Sequence, residues 1–108
     1  VVTTRAMVAK HPETVKPFLI ALLAGWRDAL DPRHQEQAIR VLLEADRETP
    51  EAVVRRQLSV TRELMLPPAG VAFGTVDTAA WRQTEEILRS QKLIPGPVDV
   101  ESLLFTFK

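Results

Sequence analysis

Apolar residues fall at helical spacing through most of this chain. Val15, Phe18, Leu19, Leu22, Leu23, Trp26, Ala29 and Leu30 follow i, i+3, i+4, i+7 intervals, while Lys16, Arg27 and Asp28 lie off the stripe. The pattern predicts a helix over 12–30 with one wide apolar face that must pack against something substantial. Ala38, Ile39, Leu42 and Leu43 give a narrower stripe in a helix over 33–46. Val53, Val54, Leu58, Thr61, Leu64 and Met65 do the same over 50–65. A fourth helix, over 77–90, turns Ala80, Trp81, Thr84, Ile87 and Leu88 inward. No internal repeat or low-complexity segment interrupts this mainly α reading.

The punctuation agrees with the periodicity. His11-Pro12-Glu13, Asp31-Pro32-Arg33 and Thr49-Pro50-Glu51 each place a proline at a helix start, where its missing N–H costs no bond. Asp31 or Thr49 just before it can accept from first-turn amides, and Glu13 and Glu51 sit at the positive end of the helix dipole. Asp77 is placed to cap Ala79 or Ala80. Pro17 falls within the first turns of its helix, and Gly25 beside Trp26 predicts close approach by a neighbouring element. Pro67-Pro68 ends the third helix, residues 71–75 form a connector, and Asp99 is expected to cap a short final turn through Leu104.

Composition narrows the classes of function. One hundred and eight residues, 45% hydrophobic and 26% charged, suit one domain with a modest core. Fourteen basic residues balance fourteen acidic ones, so the field that gathers phosphate backbones is missing and nucleic acid is disfavoured as a partner. Cysteine is absent, which removes disulfides, thiolate metal sites and cysteine nucleophiles. The longest apolar run, Phe18 to Ala24, has seven residues, well short of the roughly 18 that cross a bilayer. The chain starts on Val1 without a charged-then-apolar leader, and is expected to be an excerpt of a longer protein.

Candidate chemistry is sparse. His11 and His34 each sit at a helix start beside a proline, without further ligands at a recognisable spacing, so they read as surface or capping residues rather than a metal site. Glu85-Glu86 and Glu44 with Glu48 are carboxylate pairs, but Arg82, Arg89, Arg40 and Arg47 lie at helical distances and favour solvated pairing over acid–base work. No nucleophile elbow, HExxH or phosphate loop occurs, so no catalytic residue and no cofactor are expected. Arg55, Arg56 and Arg62, with Gln57 and Thr61, either decorate a DNA-reading helix or form a solvated basic face, and the neutral chain favours the latter. Trp26 and Trp81 fall on core stripes; Phe73 belongs to the connector.

The C-terminal third carries Phe73-Gly74-Thr75-Val76-Asp77 running into Trp81, then Leu93-Ile94-Pro95-Gly96-Pro97-Val98-Asp99 and the closing Leu103-Leu104-Phe105-Thr106. With Val1-Val2-Thr3-Thr4-Arg5 and Lys10-His11-Pro12-Glu13-Thr14-Val15 at the front, this order of motifs resembles the last segment of bacterial ABC-importer substrate-binding proteins. The family in question takes up sulfonates, nitrate and thiamine-precursor pyrimidines. Its usual glycine at the exit of the last helix is replaced by Lys92.

The resemblance implies a short N-terminal strand, Val1 to Thr4, crossing between lobes. The expected fold is four helices plus that strand, with residues 1–108 one segment in the C-terminal part of a lobe of a two-lobed α/β periplasmic-binding-protein type II fold. It also implies a solute-binding role, a permease partner, and a periplasmic or lipid-anchored location, without catalysis. Thr4, Arg5, Phe73 and Trp81 are the ligand-binding candidates, an Arg5 guanidinium being suited to a sulfonate or nitrate oxygen. Deprived of its sheet, the segment is expected to self-associate, through its first helices or exchanged termini. Two other classes stay open: an autonomous helical module that binds another protein, and an enzyme of the thiamine-precursor branch.

Overall fold

A computed structural model describes residues 1–106. Five α-helices follow one another: α1 (Arg5–Lys10), α2 (Pro12–Leu30), α3 (Gln35–Ala45), α4 (Glu51–Met65) and α5 (Thr78–Ser90), with 3-10 turns at Pro32–His34 and Glu101–Leu103. The chain divides into two compact units, Val1–Gly74 and Thr75–Lys108, the second described as far as residue 106.

The expected strand is replaced by a helix start. Val1 and Val2 are 88% and 95% exposed, and no strand occurs among the described residues. Thr4 instead takes an extended N-cap conformation (φ −94°, ψ 154°), and its Oγ1 accepts from the Met7 amide at 3.1 Å. A lone strand would leave its amides and carbonyls unpaired, whereas a threonine cap followed by Arg-Ala-Met satisfies them locally. The fold is therefore five helices rather than four helices and a strand, and no two-lobed α/β periplasmic-binding-protein architecture is present among the described residues.

Pro12 separates α1 from α2. The residue before a proline is driven out of helical space, and His11 sits at φ −133°, ψ 49°, with its amide donating to the Met7 carbonyl. The stripe of α2 keeps its expected phase: Val15, Leu19, Leu22, Leu23, Trp26 and Ala29 are half-buried, yet only Leu30 is fully covered and Phe18 stays 61% exposed. Burial gathers at the end of α2, where Leu30 meets Ile39 of α3 and Val54 and Leu58 of α4. Trp26, Ala38, Leu43, Met65 and Phe73 pack around these four. Gly25 marks no close approach, since a Cβ there would meet open space. The close approach is at Gly74 (φ +85°), where a Cβ would lie 2.9 Å from the Leu23 methyls.

Side-chain oxygens set the turns. Asp31 accepts from the Arg33 amide at 2.9 Å and opens the 3-10 turn before α3. Thr49 does not cap α4. The Asp46 carboxylate gathers the Glu48 and Thr49 amides and the Thr49 hydroxyl, leaving Pro50 as an N-cap without a side-chain bond. The carboxylate thus orders the turn that precedes α4 rather than the first turn of the helix itself.

In the second unit, the Asp77 carboxylate accepts from Ala80 at 3.0 Å, as the spacing predicts. At the exit of α5, the Leu93 amide donates to the Leu88 carbonyl and Lys92 to Arg89, with Lys92 at φ 58°. That pairing is a Schellman motif with a lysine in glycine's usual place. Asp99 does not cap the last turn with its carboxylate; its carbonyl accepts from the Ser102 hydroxyl, and Val100 stands at the N-cap position and is buried. The face of α5 expected to turn inward is largely open: Trp81 is 49% and Ile87 54% exposed, and Leu88 is half-buried. Glu85 accepts from the Val98 amide, and Arg82 pairs with Glu101.

Candidate functional site

Where α2 and α4 end, the first unit forms a concavity of roughly 210 Å³. Arg27, Leu30, Asp31 and Pro32 supply one side, Arg62 and Leu66 the other, and Phe73 comes from the connector. Three features of the chain create it. Pro32 stops α2 from continuing into α3. Pro67 and Pro68 end α4, and the Val71 amide closes a turn onto the Pro68 carbonyl. Gly70 (φ +83°) and Gly74 then let the connector reverse, and contact with Leu23 fixes Phe73 beside α2.

Most polar groups around the concavity are already engaged. The Arg62 Nε donates to the Leu30 carbonyl at 2.8 Å and its Nη2 to the Gln35 Oε1 at 3.1 Å, so this partly buried cation closes the C-terminal end of α2. Both Asp31 oxygens accept from the Arg33 guanidinium, at 2.7 to 3.2 Å. Those bonds, with the Arg33 amide, hold the Asp31 carboxyl well below the usual carboxylate range and raise Arg33. Arg27 differs. Its guanidinium lies 5.7 Å from the Phe73 ring centroid and forms no ion pair among the described residues. What remains open is a flat aromatic ring, a guanidinium plane and the apolar Pro32 and Leu66.

Of the four ligand-binding candidates, only Phe73 lines this concavity. The Thr4 hydroxyl is committed to capping, Arg5 is the first residue of α1, and Trp81 lies on α5 in the second unit. Arg27 escapes a reading by periodicity because a charge off an apolar stripe defaults to solvent. The proline and glycine pairs at 67–68 and 70–74 are the signal that the chain turns back there. Two of the three arginines on the basic face of α4 are engaged: Arg55 binds Glu36 and Glu51, and Arg62 binds Leu30 and Gln35, while Arg56 is exposed. His34 Nδ1 lies 2.6 Å from Asp28 Oδ1, and His11 Nδ1 3.5 Å from Glu13 Oε1. Among the described residues no three His, Cys, Asp or Glu side chains gather as a metal site, and no helix is long and apolar enough to cross a membrane.

No family model matches the chain, and no solved structure matches it. Among curated proteins it is similar to the riboflavin-binding protein RibY of Chloroflexus aurantiacus, with 31% identity in an alignment 110 residues long that spans 94% of this chain. The chain spans about 30% of that relative's length. These findings overturn the resemblance to the sulfonate, nitrate and thiamine-precursor importers: no model of such a family matches, and the relative is named for a different solute.

Proposed function

We propose that this chain forms part of a small-molecule-binding protein whose solute carries a flat, conjugated ring system of the flavin class. The observation that carries the reading is similarity along nearly the whole chain to a protein named for binding riboflavin. The Phe73 concavity supports it chemically. An isoalloxazine is apolar on its faces and carries carbonyl oxygens at one edge. The half-buried Phe73 ring and the Arg27 guanidinium both offer flat surfaces for stacking, and Arg27 has donors for those oxygens. Holding a solute needs no covalent step, so these side chains have only to bind and orient it.

The concavity, roughly 210 Å³, is smaller than the about 300–1,000 Å³ of pockets that engulf such ligands, so it supplies one wall of a site. The test replaces the matching segment of RibY with this chain and follows riboflavin by its own fluorescence. The hybrid is expected to bind within about tenfold of its parent, and Phe73→Ala to weaken it by about tenfold, the lower end of what ring stacking contributes. A folded hybrid that leaves riboflavin fluorescence unchanged overturns the reading. One that binds but ignores Phe73→Ala moves the site elsewhere.

A further inference from the structure

Helix α4 carries three arginines with different fates. Arg55 and Arg62 are tied to partners on α3, on the end of α2 and on α4 itself, whereas Arg56 points along a face that nothing covers. On that face Val53 and Val60 are each 43% exposed and Leu64 is 81% exposed. Val53, Gln57, Val60 and Leu64 follow four-three-four spacing and form one stripe about 17 Å long. Arg56 and Glu63 stand seven residues apart on the same flank of it, and neither has an ion-pair partner among the described residues.

We infer that this face pairs with the same face of a second copy, antiparallel, around a twofold axis close to Val60. The charges select both the occupant and the direction. In an antiparallel pair, matching flanks face each other in reversed order. Arg56 of each copy then meets Glu63 of the other, and both contacts form at once. In a parallel pair, the flank bearing Arg56 and Glu63 would instead face the opposite flank, where Thr61 lies, and neither charge would be matched. The antiparallel register also lays Val53 of one copy near Leu64 of the other, covering the most exposed leucine in the helix.

Sedimentation equilibrium on the full 108-residue chain tests this, with circular dichroism as the check on folding. The mass is expected to rise with concentration from 12.1 kDa to twice that value. Arg56→Glu and Glu63→Arg should each weaken the dimer by about tenfold, because each change sets like charges opposite one another at two places. The double exchange, R56E with E63R, recreates both pairs with reversed sign and should restore dimerisation. A monomer at every concentration overturns the inference and leaves the stripe to another occupant. A dimer indifferent to both single changes places the interface elsewhere, and single losses without rescue overturn the antiparallel register.

Discussion

Lys92 holds a left-handed backbone at the exit of α5, a conformation in which an L side chain crowds the following carbonyl. The Schellman hydrogen bonds from Leu93 and Lys92 require that conformation, so the strain is the consequence of ending the helix there. Glycine adopts it without the Cβ clash but brings a more flexible unfolded chain, and the two effects partly offset. Lys92→Gly should therefore stabilise the chain by about 1 kcal/mol or less. Thermal unfolding followed at 222 nm checks this, and destabilisation by the glycine would mean that the Lys92 side chain contributes more than its backbone strain costs.

Among the helices, α2 has the widest stripe and only one fully buried residue, so its length of apolar sequence overstates its share of the core. Ile39 of α3 is 2% exposed and belongs to the buried cluster, while Leu22 is half-buried. Ile39→Ala is expected to cost about 2–5 kcal/mol. Leu22→Ala should cost about 1 kcal/mol, a fraction of the transfer energy of a fully covered leucine. Urea denaturation with an unchanged m-value separates the two, and equal losses would mean that α2 is covered along its whole length. Periodicity placed α2, α3, α4 and α5 because their stripes and prolines are local signals. It missed α1 because six residues carry too little pattern to stand out, and the strand expected over Val1 to Thr4 came from the family resemblance rather than from spacing. Phe73 was legible as a connector aromatic. Arg62 was not, since the carbonyl it closes on belongs to Leu30, 32 residues earlier, and no local spacing encodes that bond.

For the molecule as a whole, ionised carboxylates hold the junctions between helices in the first unit. The Arg33 side-chain bonds depress Asp31, those of Arg55 depress Glu36, and the Thr49 hydroxyl with the Glu48 and Thr49 amides depresses Asp46. A carboxylate whose folded pKa is lowered adds stability that is complete above its unfolded value, about pH 4, and is lost as pH falls through the folded one. All three shifts act in the same direction. Protonating fourteen acidic groups would at the same time leave fourteen basic ones unopposed, adding repulsion to the loss of the junctions. The melting temperature should hold from neutral pH down to about pH 5 and fall steeply below about pH 4. Raised ionic strength should weaken the Glu36–Arg55 part of this effect, because that pair is exposed and screened. The Asp46 part should resist salt, since it rests on hydrogen bonds to amides and a hydroxyl rather than on a distant charge. Asp46→Asn leaves a side-chain oxygen to accept from those amides but removes the titrating group. It should therefore flatten the acid limb more than it lowers the melting temperature at neutral pH. An unchanged acid limb in that variant would exclude the Asp46 turn as a source of the acid sensitivity.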